Sequence, residues 1–133
     1  MALSLKAVNA ITLFVENLQR SKEFYERVFD VELFEEEDAG TLILKFDDVF
    51  LRLLLRDEAE KEFLGQVTLA DAGSVGVELA VRVDEARDAA EELTARGVPL
   101  TFGPVDRPWG VRHVGFRDPD GHLWVASSDI AEP

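Results

Sequence analysis

This 133-residue sequence predicts an α+β fold built from two tandem βαβββ modules. Three observations carry that prediction. Ala10-Ile11-Thr12-Leu13-Phe14-Val15 alternates with the two-residue period of a strand and runs into a helical stretch, Leu18 to Phe29. Glu78-Leu79-Ala80-Val81-Arg82-Val83 does the same and runs into a second helical stretch, Glu85 to Arg96. Each half then continues with three short strand-like runs, so the chain reads as a repeat that pairs position 10 with position 78.

Taken in order, the first module spans residues 5–56. Its first strand covers Ala7 to Val15, and Asn17 is a good N-cap for a helix whose Leu18, Phe24, Tyr25 and Val28 share one face. Glu32 to Glu36 is the second strand, the acidic run Glu35 to Asp38 reads as a solvated turn, and Asp38-Ala39-Gly40 leads into a third strand, Thr41 to Phe46. Asp47-Asp48 turns the chain into a fourth strand, Val49 to Arg56. Residues 57–74, charged and glycine-flanked, form the expected connection, with a short helix around Glu58 to Phe63.

The second module spans residues 75–130. Its strand Gly76 to Val83 leads to Asp84 as helix cap, to a helix that buries Ala86, Ala89, Ala90 and Leu93, and to Gly97 in the C′ position. Pro99 opens an edge-like strand to Phe102. Val111 to Arg117 and His122 to Ser128 are the last two strands, joined by the turn Asp118-Pro119-Asp120-Gly121. The length suits a single domain over residues 1–133.

Composition narrows the function classes. Fourteen basic and 27 acidic residues give a net charge of −13, which repels nucleic acid and anionic lipid and attracts cations. There is no cysteine, so disulfides and thiolate metal sites are excluded, and a reducing cytoplasm is the expected location. The apolar runs are too short to span a membrane, and the N-terminal residues lack the pattern of a secretory signal. There is also no nucleophile elbow and no phosphate-binding glycine loop.

Asn17-Leu18, Phe24-Tyr25, Trp109-Gly110 and Phe116-Arg117-Asp118-Pro119-Asp120-Gly121-His122-Leu123-Trp124, set in a duplicated strand–helix pattern, resemble the vicinal oxygen chelate superfamily. That superfamily includes glyoxalase I, extradiol dioxygenases, fosfomycin-resistance enzymes and bleomycin-resistance proteins. The likeness runs from about Leu5 to Ile130. It implies a mixed sheet from both modules, cupped around a shared site, with the helices outside.

The pleat assigns faces within that expectation. Ile11, Leu13 and Val15, Leu51, Leu53 and Leu55, Leu79, Val81 and Val83, and Trp124 and Ala126 take the helix side. Metal-dependent members of the family hold a divalent ion at four positions that map here to Ala10, Arg52, Glu78 and Val125. Only Glu78 could donate a lone pair, and one carboxylate cannot hold the ion. The resemblance therefore implies no metal and no other cofactor, and no catalytic constellation can be assembled. His122 reads as a turn residue, and His113 as a packed or hydrogen-bonded residue.

Arg52 and Glu78 are expected to pair where the metal would sit, and either could orient a ligand. Phe14, Phe46, Phe50 and Trp109 are candidate ligand-stacking walls, and Arg112 a candidate polar contact at the mouth. The expected function is metal-free binding of a small aromatic or cationic molecule, as in bleomycin-resistance proteins. A metal-dependent lyase, transferase or dioxygenase with unfamiliar ligands, and a structural or regulatory module plugged by its own side chains, stay open. A two-fold homodimer is the expected assembly.

Overall fold

Both alternating runs become edge strands with a parallel neighbour. In the computed structural model, residues 7–29, 31, 40–46 and 48–130 are described in full, and 33–38 as strand backbone. The expected module start at Leu5, strand start at Glu32 and turn residues Ala39 and Asp47 lie outside the described residues. The elements are β1 (Ala10–Val15), α1 (Leu18–Phe29), β2 (Leu33–Asp38), β3 (Thr41–Phe46), β4 (Val49–Leu55), α2 (Arg56–Glu62), β5 (Glu78–Arg82), α3 (Ala86–Ala95), β6 (Leu100–Asp106), β7 (Val111–Arg117) and β8 (Leu123–Asp129).

Two compact units divide at Leu69 and Ala70, each with a four-stranded mixed sheet. The strand orders are β1-β4-β3-β2 and β5-β8-β7-β6, so the two halves share one topology. They also share a register. Ala10 lies opposite Phe50, two residues before Arg52, and Glu78 lies opposite Leu123, two residues before Val125. The predicted βαβββ repeat and its pairing of positions 10 and 78 are the observed ones.

In the first unit, α1 starts where Asn17 Oδ1 accepts from the Arg20 backbone N–H at 2.9 Å, the expected N-cap. Its Phe24 and Tyr25 are buried together with Leu13, Val15, Leu42, Leu44, Leu51 and Leu53. Each such side chain contributes about 1.5–3 kcal/mol on leaving water, so this apolar face is what fixes the register.

In the second unit, Ala86, Ala90 and Leu93 of α3 are buried with Val114, Phe116, Trp124 and Ala126. The buried Ser128 hydroxyl accepts from the Ala86 N–H at 2.8 Å and ties the start of α3 to β8. Gly97 ends the helix at φ +79°, a conformation that favours glycine, as its C′ assignment requires.

Three local expectations are corrected, and the short helix expected in the connection is present, starting two residues earlier and one residue longer. The acidic run Glu35 to Asp38 belongs to β2, where Glu35 and Glu36 pair with Ile43 and Leu42, and is not a free turn. A charged sequence suits an edge strand, because it discourages pairing with another chain. Glu85, not Asp84, is the N-cap of α3, and its carboxylate accepts from the Arg87 N–H. The β6 strand runs on past Phe102 to Asp106 through two shifts of register. The expected connection begins with α2, which starts directly after β4 and packs against β1 and β4.

Candidate functional site: the open sheet faces

Each sheet has one face covered by its helix; the opposite face is the open one, although α2 covers one end of it in the first unit and Val125 and Gly115 are buried on it in the second. The register sets the open face of the first sheet as three rows: Ala10, Phe50 and Lys45; Thr12, Arg52 and Ile43; Phe14, Leu54 and Thr41. In the last row Leu54 and Thr41 are buried, because α2 folds back over this end. Phe63, just after α2, meets Phe14 edge-on with ring centroids 5.9 Å apart. Glu62 receives both terminal nitrogens of Arg52, at 2.6 and 2.7 Å, in a fork that holds its carboxyl below the usual range.

Arg52 was expected to pair with Glu78; both of its terminal nitrogens are taken by Glu62, from its own unit and ten residues away. Phe14 likewise serves to seat the segment after α2. Phe50 stays half-buried on the open face, with the Lys45 ammonium 6.0 Å from its ring centre. Phe46 is not on this face. Its register partner is Val49, which shares a side with Leu51 and Leu53, and its ring meets Phe29 of α1 at 5.3 Å. It is part of the helix-side packing.

On the second sheet the open face carries Glu78, Leu123 and Arg117, then Ala80, Val125 and Gly115, then Arg82, Ser127 and His113. Glu78 is exposed at the first row. Arg82 is exposed at the third, bridged to Asp129. Arg112 lies on the opposite side from His113. Its guanidinium is engaged by Asp106 at 2.6 Å and by the cap residue Glu85 at 2.9 Å, and only 15 % of its side chain is exposed. The arginine holds both carboxyls low, with the Arg87 N–H the larger influence on Glu85, and is itself raised by them. Arg112 therefore anchors the start of α3 and does not reach the open face, contrary to its expected place at the mouth.

The open face of the second sheet holds a cluster that the sequence reading did not assemble. Phe102 lies over Gly115, so closely that a Cβ there would stand 2.6 Å from Cδ2 and 2.7 Å from Cζ of the ring. The Arg107 guanidinium lies 5.5 Å from the Phe102 ring centre and 5.9 Å from that of Trp109, both within cation–π range. Arg107 Nε donates to His113 Nδ1 at 3.3 Å, and His113 meets the Trp109 ring edge-on at 6.4 Å. An Nδ1 that accepts leaves the proton of a neutral imidazole on Nε2.

The β6–β7 turn places these groups. Pro108 follows Arg107, the Gly110 N–H donates to the Arg107 carbonyl at 3.0 Å, and Gly110 sits at φ +93°. The Arg107 N–H closes the loop onto the Val111 carbonyl at 2.8 Å. Trp109 stands at the tip, 68 % exposed. The turn therefore presents the indole, flanked by Arg107 and His113, at the protein surface.

The residues present do not fit a family-type metal. Ala10, Arg52 and Val125 offer no donor, Arg52 is already engaged, and Val125 is buried. Among the described residues no group of three or more His, Asp or Glu side chains could hold an ion. His122 is committed as well: its Nδ1 lies 2.7 Å from Asp118 Oδ2, while Asp118 Oδ1 accepts from the N–H groups of Asp120 and His122. That is a turn network, as expected for Asp118-Pro119-Asp120-Gly121.

Comparison with known proteins agrees with this architecture. Residues 7–126 match the sequence profile of the Glyoxalase/Bleomycin resistance protein/Dioxygenase superfamily. No curated protein matches the chain in sequence. A glyoxalase/bleomycin resistance protein/dioxygenase from Nocardioides superimposes with TM-score 0.79 at 25% identity, over 99% of this chain and 89% of that one. A glyoxalase-related enzyme from Fulvimarina pelagi gives 0.80 at 23% identity, covering 94% and 89%. A glyoxalase/bleomycin resistance protein/dioxygenase family enzyme from Burkholderia phytofirmans PsJN gives 0.80 at 15%, covering 92% and 98%. Likeness at the two lower identities speaks for the fold alone.

Proposed function

The chain belongs to the Glyoxalase/Bleomycin resistance protein/Dioxygenase superfamily, and we propose that it binds a small aromatic molecule without a metal and without chemistry. One observation carries this reading: an exposed Trp109, fixed by a proline-containing turn and backed by Arg107, Phe102 and His113. Stacking on a pre-positioned ring loses little conformational entropy, which is how a small patch gains useful affinity. Phe50 is a secondary wall on the first unit's open face. Of the two ligand classes the sequence left open, aromatic is favoured over cationic, because a guanidinium at the platform repels a cation.

A second reading has its own support in the first unit. There α2 and Phe63 cover one end of the open face, and Arg52 and Phe14 are spent on holding them. That face then has a structural role, and binding is confined to the second unit.

Several expectations stay proposals of the same reading. The protein is a single functional domain and a two-fold homodimer, and the absence of cysteine suits a cytoplasmic setting. No helix among the described residues is long and apolar enough to cross a membrane. A thermal-shift screen of aromatic compounds tests the function: a ligand that raises the melting temperature in the native chain and fails with Trp109→Ala supports it. A screen without response, or a response indifferent to Trp109, would refute it. Sedimentation at micromolar protein giving the mass of one chain would refute the dimer.

A further inference from the structure

Arg107 is held in an unusual way for this chain. Acids outnumber bases by 27 to 14, yet among the described residues no carboxylate pairs with it. Its contacts are instead two aromatic faces and one imidazole nitrogen. Arg112, five residues on, shows the alternative, with acids on two sides. The Arg107 side chain is nonetheless positioned: Nε is committed to His113, which leaves the two terminal nitrogens without a hydrogen-bond partner among the described residues. Among the described residues no buried side-chain polar atom lacks a partner, so these nitrogens are open to solvent or to a ligand.

Two parallel N–H groups on a planar guanidinium match the two oxygens of a carboxylate. On the same face, His113 Nε2 carries the remaining imidazole proton, and Trp109 offers an exposed ring 5.9 Å from the guanidinium carbon. We infer that the ligand is an aromatic carboxylate, its oxyanion forked by Arg107 and its ring laid against Trp109. This rests on the binding function proposed above and specifies the ligand's charge.

The test uses three probes with one ring: naphthoate, naphthylmethanol and naphthylmethylammonium, titrated calorimetrically into the full chain. Naphthoate should bind about 10-fold more tightly than the alcohol, with the ammonium weakest. Arg107→Met should abolish that preference, bringing naphthoate and the alcohol to within about 2-fold of each other, and Trp109→Ala should weaken all three. If R107M does not fold, salt decides with the native protein. Naphthoate affinity should then fall between about 50 mM and about 500 mM NaCl while alcohol affinity stays level. Equal or tighter binding of the alcohol or the ammonium overturns the carboxylate assignment and leaves the binding function standing. No heat with any of the three overturns both.

Discussion

Gly115→Ala puts the site's architecture to a quantitative test. Gly115 is buried on β7, and its backbone lies outside the left-handed region, so alanine is conformationally allowed there. Space is the only obstacle. A Cβ would stand 2.6 Å from Phe102 Cδ2 and 2.7 Å from Cζ, against an ordinary contact of about 3.5–4.0 Å. Cε2 of the ring is closer still, so the ring must move by more than about 1 Å, and overpacking of this kind costs about 1–3 kcal/mol. Alanine recovers about 0.5–1 kcal/mol by restricting the unfolded chain. The difference is a net loss of up to about 2.5 kcal/mol, or a melting temperature lower by up to about 9 °C for a chain of this size.

A double-mutant cycle isolates the cause. With Phe102→Ala as background the obstacle is gone, so Gly115→Ala should become neutral or stabilising by about 0.5–1 kcal/mol. The coupling between the two positions should equal the overpacking cost, about 1–3 kcal/mol, read from urea denaturation of all four proteins. Because Arg107 rests on the displaced ring, G115A should also weaken binding of an aromatic carboxylate. Zero coupling to Phe102 would refute the packing on which the platform depends.

Three further outcomes follow from other parts of the structure. Ser128→Ala leaves the Ala86 N–H without its acceptor at the start of α3, and urea denaturation should show a loss of about 1–2 kcal/mol; an unchanged midpoint would show the hydroxyl to be dispensable. Glu62→Gln removes a carboxylate whose folded pKa is depressed by Arg52, so its contribution is present above the ordinary carboxylate value and lost as pH falls through the lower folded value. The native protein should exceed E62Q by less than about 1 kcal/mol at neutral pH, since the pair is partly exposed, and the gap should close on acidification; a gap independent of pH would contradict the ion pair. Dialysis against EDTA should leave the unfolding midpoint unmoved, and elemental analysis of the native protein should find under about 0.1 equivalent of divalent metal; stoichiometric tightly held metal would refute the metal-independent reading.

The duplication was readable from local pattern because a strand's period of two and a helix's period near 3.6 are properties of the backbone itself. Ile11, Leu13 and Val15 and their counterparts Leu79 and Val81 could be given a face before any contact was known. The places of Phe46 and Arg112 were also within reach. Only two residues separate Phe46 from Val49, which the register sets opposite each other, and the turn from Asp118 to Gly121 sets Arg112 opposite Ser128, both on the helix side. Carrying parity across a hairpin, not only along a strand, assigns them.

Other features needed the assembled chain. The acid that captures Arg52 comes from α2, and nothing in the local sequence distinguishes Glu62 from its many acidic neighbours. Phe102 finds Gly115 through a β6–β7 pairing whose register shifts twice, so counting residues from the turn misplaces it. Arg107, Trp109 and His113 meet only because that hairpin folds back on itself. Period and turn chemistry act between neighbours and are written in the sequence; which charge remains unpaired, and beside which ring, depends on distances that exist only after folding.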